Sequence, residues 1–325
     1  MKIIVTGATG SLGAHLTRHF SSQGHQVFAL GRVSDPPKAL LKYARYIRAE
    51  LTEPVELPAA DVIVHTSGLA NDHSSHEELF DANVTATRNV CDASRHIPTF
   101  IHISSSSVYR FSEDTITEDF ISESRKSNLT PYGWSKLLGE EIIQEHCDSG
   151  NVFILRPRGI YGPGDKVLLP RLLGMVRKGK MVSPGKMNVR LSMTHFENLA
   201  HGIDCCIASG KNGKHTYNVT DNEPNILFDV LKKLLEAVNK RELDVKYIPI
   251  WLLRGMAALK LSDVSPLFLD IVTNDVVLDI SRIRSELNYA PKKEFYSSVP
   301  EIVDWVERAG GIEVVKKGEA ALAWV

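Results

Sequence analysis

Residues 2–13, Lys2-Ile3-Ile4-Val5-Thr6-Gly7-Ala8-Thr9-Gly10-Ser11-Leu12-Gly13, decide the fold. Lys2 to Thr6 is a short apolar run and reads as a buried strand. Gly7, Gly10 and Gly13 follow with the spacing G-x-x-G-x-x-G, and Leu12, Leu16 and Phe20 begin an amphipathic helix. Glycines in such a turn let a pyrophosphate approach the backbone and the N-terminus of the next helix, whose free N–H groups and dipole favour anions. A glycine-rich turn can also be no more than a tight strand-to-helix connection. Its position between the first strand and the first helix is what points to a dinucleotide.

The next strand, His25 to Leu30, ends in Gly31-Arg32. Folds that bind NAD usually place an acid near this point to hold the adenosine ribose hydroxyls, whereas NADP is met by a positive side chain. Gly31 stands where an acid would repel a 2′-phosphate, and Arg32 can form a forked pair with it. The expected cofactor is therefore NADP(H), with NAD(H) as the alternative. Further strands are expected near Tyr46 to Arg48, at Asp61 to His65 and at Thr99 to Ser104, with a helix over His76 to Ser94. Strands alternating with helices predict a doubly wound parallel sheet, an α/β Rossmann architecture whose ligands gather at the carboxyl ends of the strands. Gly7 to Gly13, Thr66-Ser67-Gly68 and Ser104 to Ser107 lie just beyond those ends, and all are small or hydroxylic.

Thr130-Pro131-Tyr132-Gly133-Trp134-Ser135-Lys136 starts another helix, with Thr130 as N-cap and Pro131 at the first helical position. Leu137, Leu138, Ile142 and Ile143 carry helical spacing, and Glu140 and Glu141 are expected to face outward. Tyr132 and Lys136 are i and i+4 on one face. A phenol beside a fixed ammonium loses its proton more easily than its reference pKa of about 10 implies, which suits a general acid/base. Alone, such a pair could equally be a surface contact.

Composition narrows the field. Lys plus Arg total 38 against 39 acids, a net charge of -1, so charge gives no support for nucleic-acid binding. Cys91, Cys147, Cys205 and Cys206 show no C-x-x-C spacing, and neither a metal site nor a disulfide framework is expected. The N-terminus lacks the layout of a signal peptide, and no stretch has the roughly 18 apolar residues that span a bilayer, so a cytoplasmic protein is expected. His65, His102 and His195 lie on or beside strands and read as packed or hydrogen-bonded side chains.

Several motifs together resemble the extended short-chain dehydrogenase/reductase family, of the NAD-dependent epimerase/dehydratase type. Thr6 to Gly13 is similar to its cofactor loop, and Asp61 to Gly68 to its fourth strand and small-residue turn. Asn83-Val84-Thr85-Ala86-Thr87 resembles its N-V-x-G-T helix, with Ala86 in place of glycine. His102 to Tyr109 resembles its serine-rich active-site strand, with Arg110 in place of the final glycine. Tyr132 and Lys136 match its Tyr-x-x-x-Lys signature, and Arg156-Pro157 with Tyr161 to Asp165 its RPxxVYGPGD segment. The resemblance runs from Met1 to about Arg308.

The resemblance implies that Tyr132 exchanges a proton with a substrate oxygen, that Lys136 assists it and holds the nicotinamide ribose, and that Ser105 hydrogen-bonds the same oxygen. Ser104 and Ser106 remain rivals for the serine role. It places the cofactor against Gly7, Thr9, Gly10, Ser11, Leu12, Gly13, Arg32, Glu50, Leu51, Thr66, Ser67, Gly68, Asn83, Ser104, Tyr132, Lys136, Pro157, Gly159 and Ile160. Glu50-Leu51 stands where the family commonly has Asp-Leu. A homodimer is also implied. Two hydroxyl donors aimed at one oxygen make chemical sense independently, because a carbonyl that gains hydride becomes an alkoxide.

Residues 1–157 and 193–222 are expected to form the dinucleotide-binding domain, and 158–192 with 223–325 a smaller mixed α/β substrate lobe. Lys166 to Arg177 reads as a helix, Met181 to Met193 as short strands and turns, and Glu197 to Ala208 as a helix. Within the family, the branch acting on nucleotide sugars typically has an arginine just before the segment matched by His195 to Ala200; Arg190 is one position too early, which in a strand points to the other face. Glu77 to Phe80, Gly179-Lys180-Met181 and Trp251 to Leu261 look more like the 3β-hydroxysteroid dehydrogenase-like branch. Leu252, Met256 and Leu259 fall on one helical face, open to three readings: core packing, a lid over an apolar substrate, or contact with a membrane surface. The small-molecule substrate expected is a fairly apolar secondary alcohol or ketone, and the alternative is a nucleotide-sugar epimerase or dehydratase.

Overall fold

A computed structural model describes residues 1–70, 74–109, 115–120, 129–259, 266–318 and 320. Seven strands form the main sheet: β1 (Lys2–Thr6), β2 (Gln26–Gly31), β3 (Arg45–Arg48), β4 (Val62–His65), β5 (Thr99–Ile103), β6 (Asn151–Pro157) and β7 (Gly213–Val219). Their order is β7-β6-β5-β4-β1-β2-β3 and every pairing is parallel. The chain winds outward from β1 in both directions, so the topological switch lies between β1 and β4.

β1 shows why the sheet is doubly wound. Ile3 and Val5 are buried in one apolar cluster with Leu16, Phe20 and Ile203, while Ile4 is buried in another with Val90, Phe100 and Ile143. Alternate side chains of a strand point to opposite faces, and here both faces are covered. Helices α1 (Ser11–Ser22), α2 (His76–Phe80), α3 (Ala86–Ala93), α4 (Pro131–His146), α5 (Leu168–Leu173) and α6 (Phe196–Ser209) follow in chain order. Helices α1 and α6 contribute to the first cluster, which continues through α5 and the later helices Leu227–Asn239 and Phe295–Arg308; α3 and α4 contribute to the second. This is the Rossmann architecture expected from the sequence.

Two elements differ from expectation. The helix expected over His76 to Ser94 is interrupted by a π turn, Asp81–Thr85, between α2 and α3. The helix expected over Lys166 to Arg177 is the shorter α5. It starts where the Asp165 carboxylate accepts the N–H groups of Val167, Leu168 and Leu169, and it stops at Gly174. Val176–Arg177 then pairs antiparallel with Lys180–Pro184. Lys178 and Gly179 both have positive φ, the backbone that a two-residue hairpin turn demands.

Short strands at Ile160–Tyr161 and Thr194–His195 pair parallel just beyond β6. Arg190–Leu191 pairs with Asn225–Ile226, and Val245–Ile248 with Lys180–Pro184. Of the stretch expected to pack, cover substrate or touch a membrane, Ile250–Ala258 is helical; Leu253 is buried, but Trp251 and Leu259 are 74% and 70% exposed. Core packing therefore accounts for little of it. Lys260 and Leu261 lie outside the described residues, as do Arg110 and residues 319 and 321–325 of the C-terminal tail. Among the described residues, no helix is long and apolar enough to cross a membrane.

Candidate active site

Helix α4 begins as its sequence dictates. Thr130 Oγ1 accepts the Gly133 N–H at 3.0 Å, and Pro131 occupies the first turn. Two glycines then let the helix lie against backbone. A Cβ on Gly133 would stand 2.2 Å from Ser107 O, and one on Gly139 would stand 2.8 Å from Asn83 O. The helix start is thereby pressed onto the serine turn that follows β5, and its middle onto the π turn.

Tyr132 is half-buried at that start, and Lys136, one turn further, is buried. Lys136 Nζ donates to Ile103 O at 2.8 Å and would lie 3.6 Å from a Cβ on Gly68. Its ammonium thus sits at the carboxyl ends of β4 and β5. Burial pulls its pKa down to about 8, with Glu140 opposing the shift. Two fully buried histidines are close enough to feel the charge: His65 bonds Thr6 Oγ1 and Thr87 Oγ1, and is pushed down to about 3, while neither ring nitrogen of His102 finds a partner among the described residues. Both shifts come mainly from burial. They act as neutral packing beneath the lysine.

Glu140 corrects an expectation. It does not face outward: it is 4% exposed and receives Arg156 through Nε at 2.9 Å and Nη2 at 2.5 Å. Ser104 Oγ donates to the same carboxylate, and Arg156 Nη1 reaches Tyr109 OH and Glu118 O. Glu140 is i+4 from Lys136 and i+8 from Tyr132 and lies on their side of the helix, but what turns it inward is Arg156 on β6. Of the three rival serines, Ser104 has its hydroxyl committed to this network. Ser105 Oγ accepts the Ser107 N–H and donates to Ser107 Oγ, both at 3.1 Å, and stays partly exposed. Ser106 is buried and receives Arg158 Nη1 at 3.4 Å.

The glycine turn is close to the same strand ends. Gly7 has φ +63°, and a Cβ there would meet the Ser67 backbone at 3.0 Å; a Cβ on Gly13 would be 2.3 Å from Gly7 O. Helix α1 has no capping side chain and no acid in its first turn. The N–H groups of Ser11 and Leu12 are among those a helix leaves without internal acceptors, which fits a pyrophosphate. The Ser11 hydroxyl accepts the Lys166 N–H, Leu12 packs against the core, and Thr9 lies against Gly31. Thr66 Oγ1 donates to Thr6 O, so its side chain ties β4 to β1.

Asn83 is held by the π turn, with Oδ1 accepting the Leu69 N–H and Nδ2 donating to Leu69 O and Ser135 Oγ. It braces the turn after β4 against α4. Arg32 is exposed at the end of β2, and its carbonyl accepts Arg48 Nε from the end of β3. Arg48 escaped the sequence reading, because only strand pairing brings it beside Arg32. Glu50 is exposed and bonds Thr52, whereas Leu51 is buried. Pro157 ends β6, Gly159 has φ +51°, and Ile160 starts the strand paired with Thr194–His195.

Comparison with known proteins fixes the family. Residues 3–220 match the family model for the NAD dependent epimerase/dehydratase family. The chain belongs to that family. It is therefore an enzyme of a family that contains NAD(P)-dependent dehydrogenases and epimerases. It is 30% identical over 341 residues to the uncharacterized protein YbjS of Escherichia coli, covering 95% of this chain and 99% of that one. It is also 29% identical to a 2-alkyl-3-oxoalkanoate reductase of Stenotrophomonas maltophilia (75% and 78% covered) and 25% identical to a 3 beta-hydroxysteroid dehydrogenase/Delta 5-->4-isomerase of Mycobacterium tuberculosis (89% and 86%). Among family structures, UDP-glucuronic acid 4-epimerase from Bacillus cereus in complex with NAD superimposes with a TM-score of 0.75 at 20% identity, over 94% of this chain and 99% of that one.

Proposed function

We propose that the protein is an NADP(H)-dependent oxidoreductase that interconverts a secondary alcohol and a ketone on a fairly apolar substrate. The observation that carries this reading is Lys136, whose ammonium is held at the ends of β4 and β5 one helical turn from Tyr132. The same helix start packs on the turn that holds Ser105. A bound nicotinamide supplies or accepts the hydride. Tyr132 donates its phenolic proton to the carbonyl oxygen in reduction and withdraws the hydroxyl proton in oxidation. Ser105 hydrogen-bonds that oxygen as charge builds on it, and Lys136 stabilises the phenolate left behind.

Arg32 and Arg48, side by side at the ends of β2 and β3, support NADP(H) because a 2′-phosphate is met by guanidinium groups. The names of two relatives describe a ketone or an alcohol on an apolar skeleton, and the exposed Trp251, Leu252 and Leu259 suit a helix that meets apolar material. Nucleotide-sugar epimerisation is the competing reading. Arg190 speaks against it: its N–H and its Nε are both engaged by Asp275, at 2.8 Å each, leaving this side chain poorly placed for a diphosphate.

The test is NADPH consumption with a panel of ketones, run beside UDP- and dTDP-sugars. Net oxidation of NADPH by an apolar ketone is expected, and Tyr132→Phe should reduce turnover by about 10²–10⁴-fold, the usual worth of a positioned acid/base. Cofactor affinity from fluorescence titration should stay the same. A fully active variant overturns the role given to Tyr132, and sugar conversion without net cofactor use overturns the reaction.

A further inference from the structure

Arg158 follows Pro157 at the carboxyl end of β6. Its backbone is fixed, because its N–H donates to Thr194 Oγ1 at 3.0 Å and that hydroxyl lies 2.8 Å from Val219 O. Its side chain has one hydrogen bond among the described residues, the 3.4 Å contact from Nη1 to Ser106 Oγ. Among the described residues no carboxylate pairs with it, in contrast with Arg156 two residues earlier, whose guanidinium is filled by Glu140, Tyr109 and Glu118. Protein encloses most of Arg158, and burial, with nothing opposing it, draws its pKa down to about 10. A guanidinium has five N–H donors, and leaving it enclosed without a counter-charge is costly.

Its place says what completes it. Ser106 is the neighbour of Ser105, so the guanidinium is seated on the serine turn that also carries the hydroxyl assigned to the reacting oxygen. The dinucleotide phosphates belong at the glycine turn after β1. From there β6 is three strands away, roughly 14 Å at the usual strand spacing of about 4.8 Å. A planar guanidinium matches a carboxylate with two parallel hydrogen bonds. The geometry points to Arg158 as the anchor for a carboxylate carried by the substrate itself, beside the carbon that exchanges hydride. The substrate class is then a hydroxy or oxo acid with an apolar tail. This inference rests on the oxidoreductase reading and narrows it.

The test compares 3-hydroxydecanoate, its methyl ester and 2-nonanol as substrates for oxidation with NADP⁺. The native enzyme should prefer the acid over the ester by about 10- to 100-fold in kcat/KM, the range expected of charge-assisted hydrogen bonds. In Arg158→Met the acid should fall to the level of the ester, whose rate is unchanged, and Arg158→Lys should restore part of the preference. Arg158→Gln keeps a donor for Ser106 and serves if the methionine variant does not fold. Calorimetric titration of the NADPH-loaded protein, which cannot oxidise the alcohol, reads binding separately from chemistry. Loss of acid binding in the variant with ester binding intact supports the anchor even if none of these alcohols is turned over, in which case the oxidoreductase reading alone fails. Equal rates for acid and ester in the native enzyme, or equal losses of both in the variant, overturn the anchor. Arg158-dependent binding of a UDP-sugar in place of the acid also overturns it.

Discussion

Lys136 carries a charge in a place where burial resists it, and two opposite pH effects follow. Its folded pKa of about 8 lies below the ordinary 10.5, so between those values the unfolded chain binds more protons than the folded one. The contribution of Lys136 to stability therefore rises as pH climbs through that window. Its support for a Tyr132 phenolate needs the ammonium and falls over the same range. Chemical denaturation from pH 7 to pH 10.5 should show the native protein gaining stability relative to Lys136→Met, while native kcat/KM declines above about pH 8. Parallel stability curves for the two proteins would show that the lysine is not held as described. The placement of Tyr132, Lys136 and the three turn glycines was legible in the sequence because each depends on a fixed local spacing. Arg48 was not, since its meaning depends on the parallel register that sets it opposite Gly31.

At the scale of the element, α4 organises the site. One face of it carries Tyr132, Lys136 and Glu140 at successive turns, and Gly133 and Gly139 remove the side chains that would hold it away from the serine and π turns. Its existence, its cap and the placing of Tyr132 and Lys136 one turn apart could be read in advance. The inward role of Glu140 could not be read from its own neighbourhood, because its partner Arg156 sits on β6 and the network extends through Tyr109 to Asn218 on β7. A carboxylate that sits beside a second one, Glu141, within an apolar helical pattern looks solvent-facing until something across the fold neutralises it. Removing the charge should be expensive. Glu140→Gln leaves the Arg156 guanidinium buried without a counter-ion, a loss of about 3–5 kcal/mol in denaturant unfolding. Glu140→Gln combined with Arg156→Met should recover part of that loss, as a double-mutant cycle would measure. A single variant as stable as the native chain would mean the pair contributes nothing beyond what it costs to bury.

The whole molecule divides its labour along the sheet. Strand order was predictable in outline, since apolar runs alternating with helices allow few parallel arrangements and the winding outward from β1 obeys the usual crossover rule. The small strands beyond β6 were less legible: pairs of two residues, such as Ile160–Tyr161 with Thr194–His195, leave no periodic trace. On the function proposed above, with β1 at the switch, the adenosine half of a dinucleotide falls to β2 and β3 and the nicotinamide half to β4, β5 and β6. Cofactor choice and chemistry then reside in groups several strands apart, and effects of well-separated sites add. Replacing Arg32 and Arg48 together by alanine should raise KM for NADPH by about 10- to 100-fold through lost charge-assisted hydrogen bonds, leave KM for NADH nearly unchanged, and leave kcat at saturating cofactor intact. Combined with Tyr132→Phe, the two sets of losses should multiply without interaction. Equal weakening of NADPH and NADH would show that the arginines shape the strand ends without reading the 2′-phosphate, and a fall in kcat would show that the two halves of the crevice are coupled through the sheet.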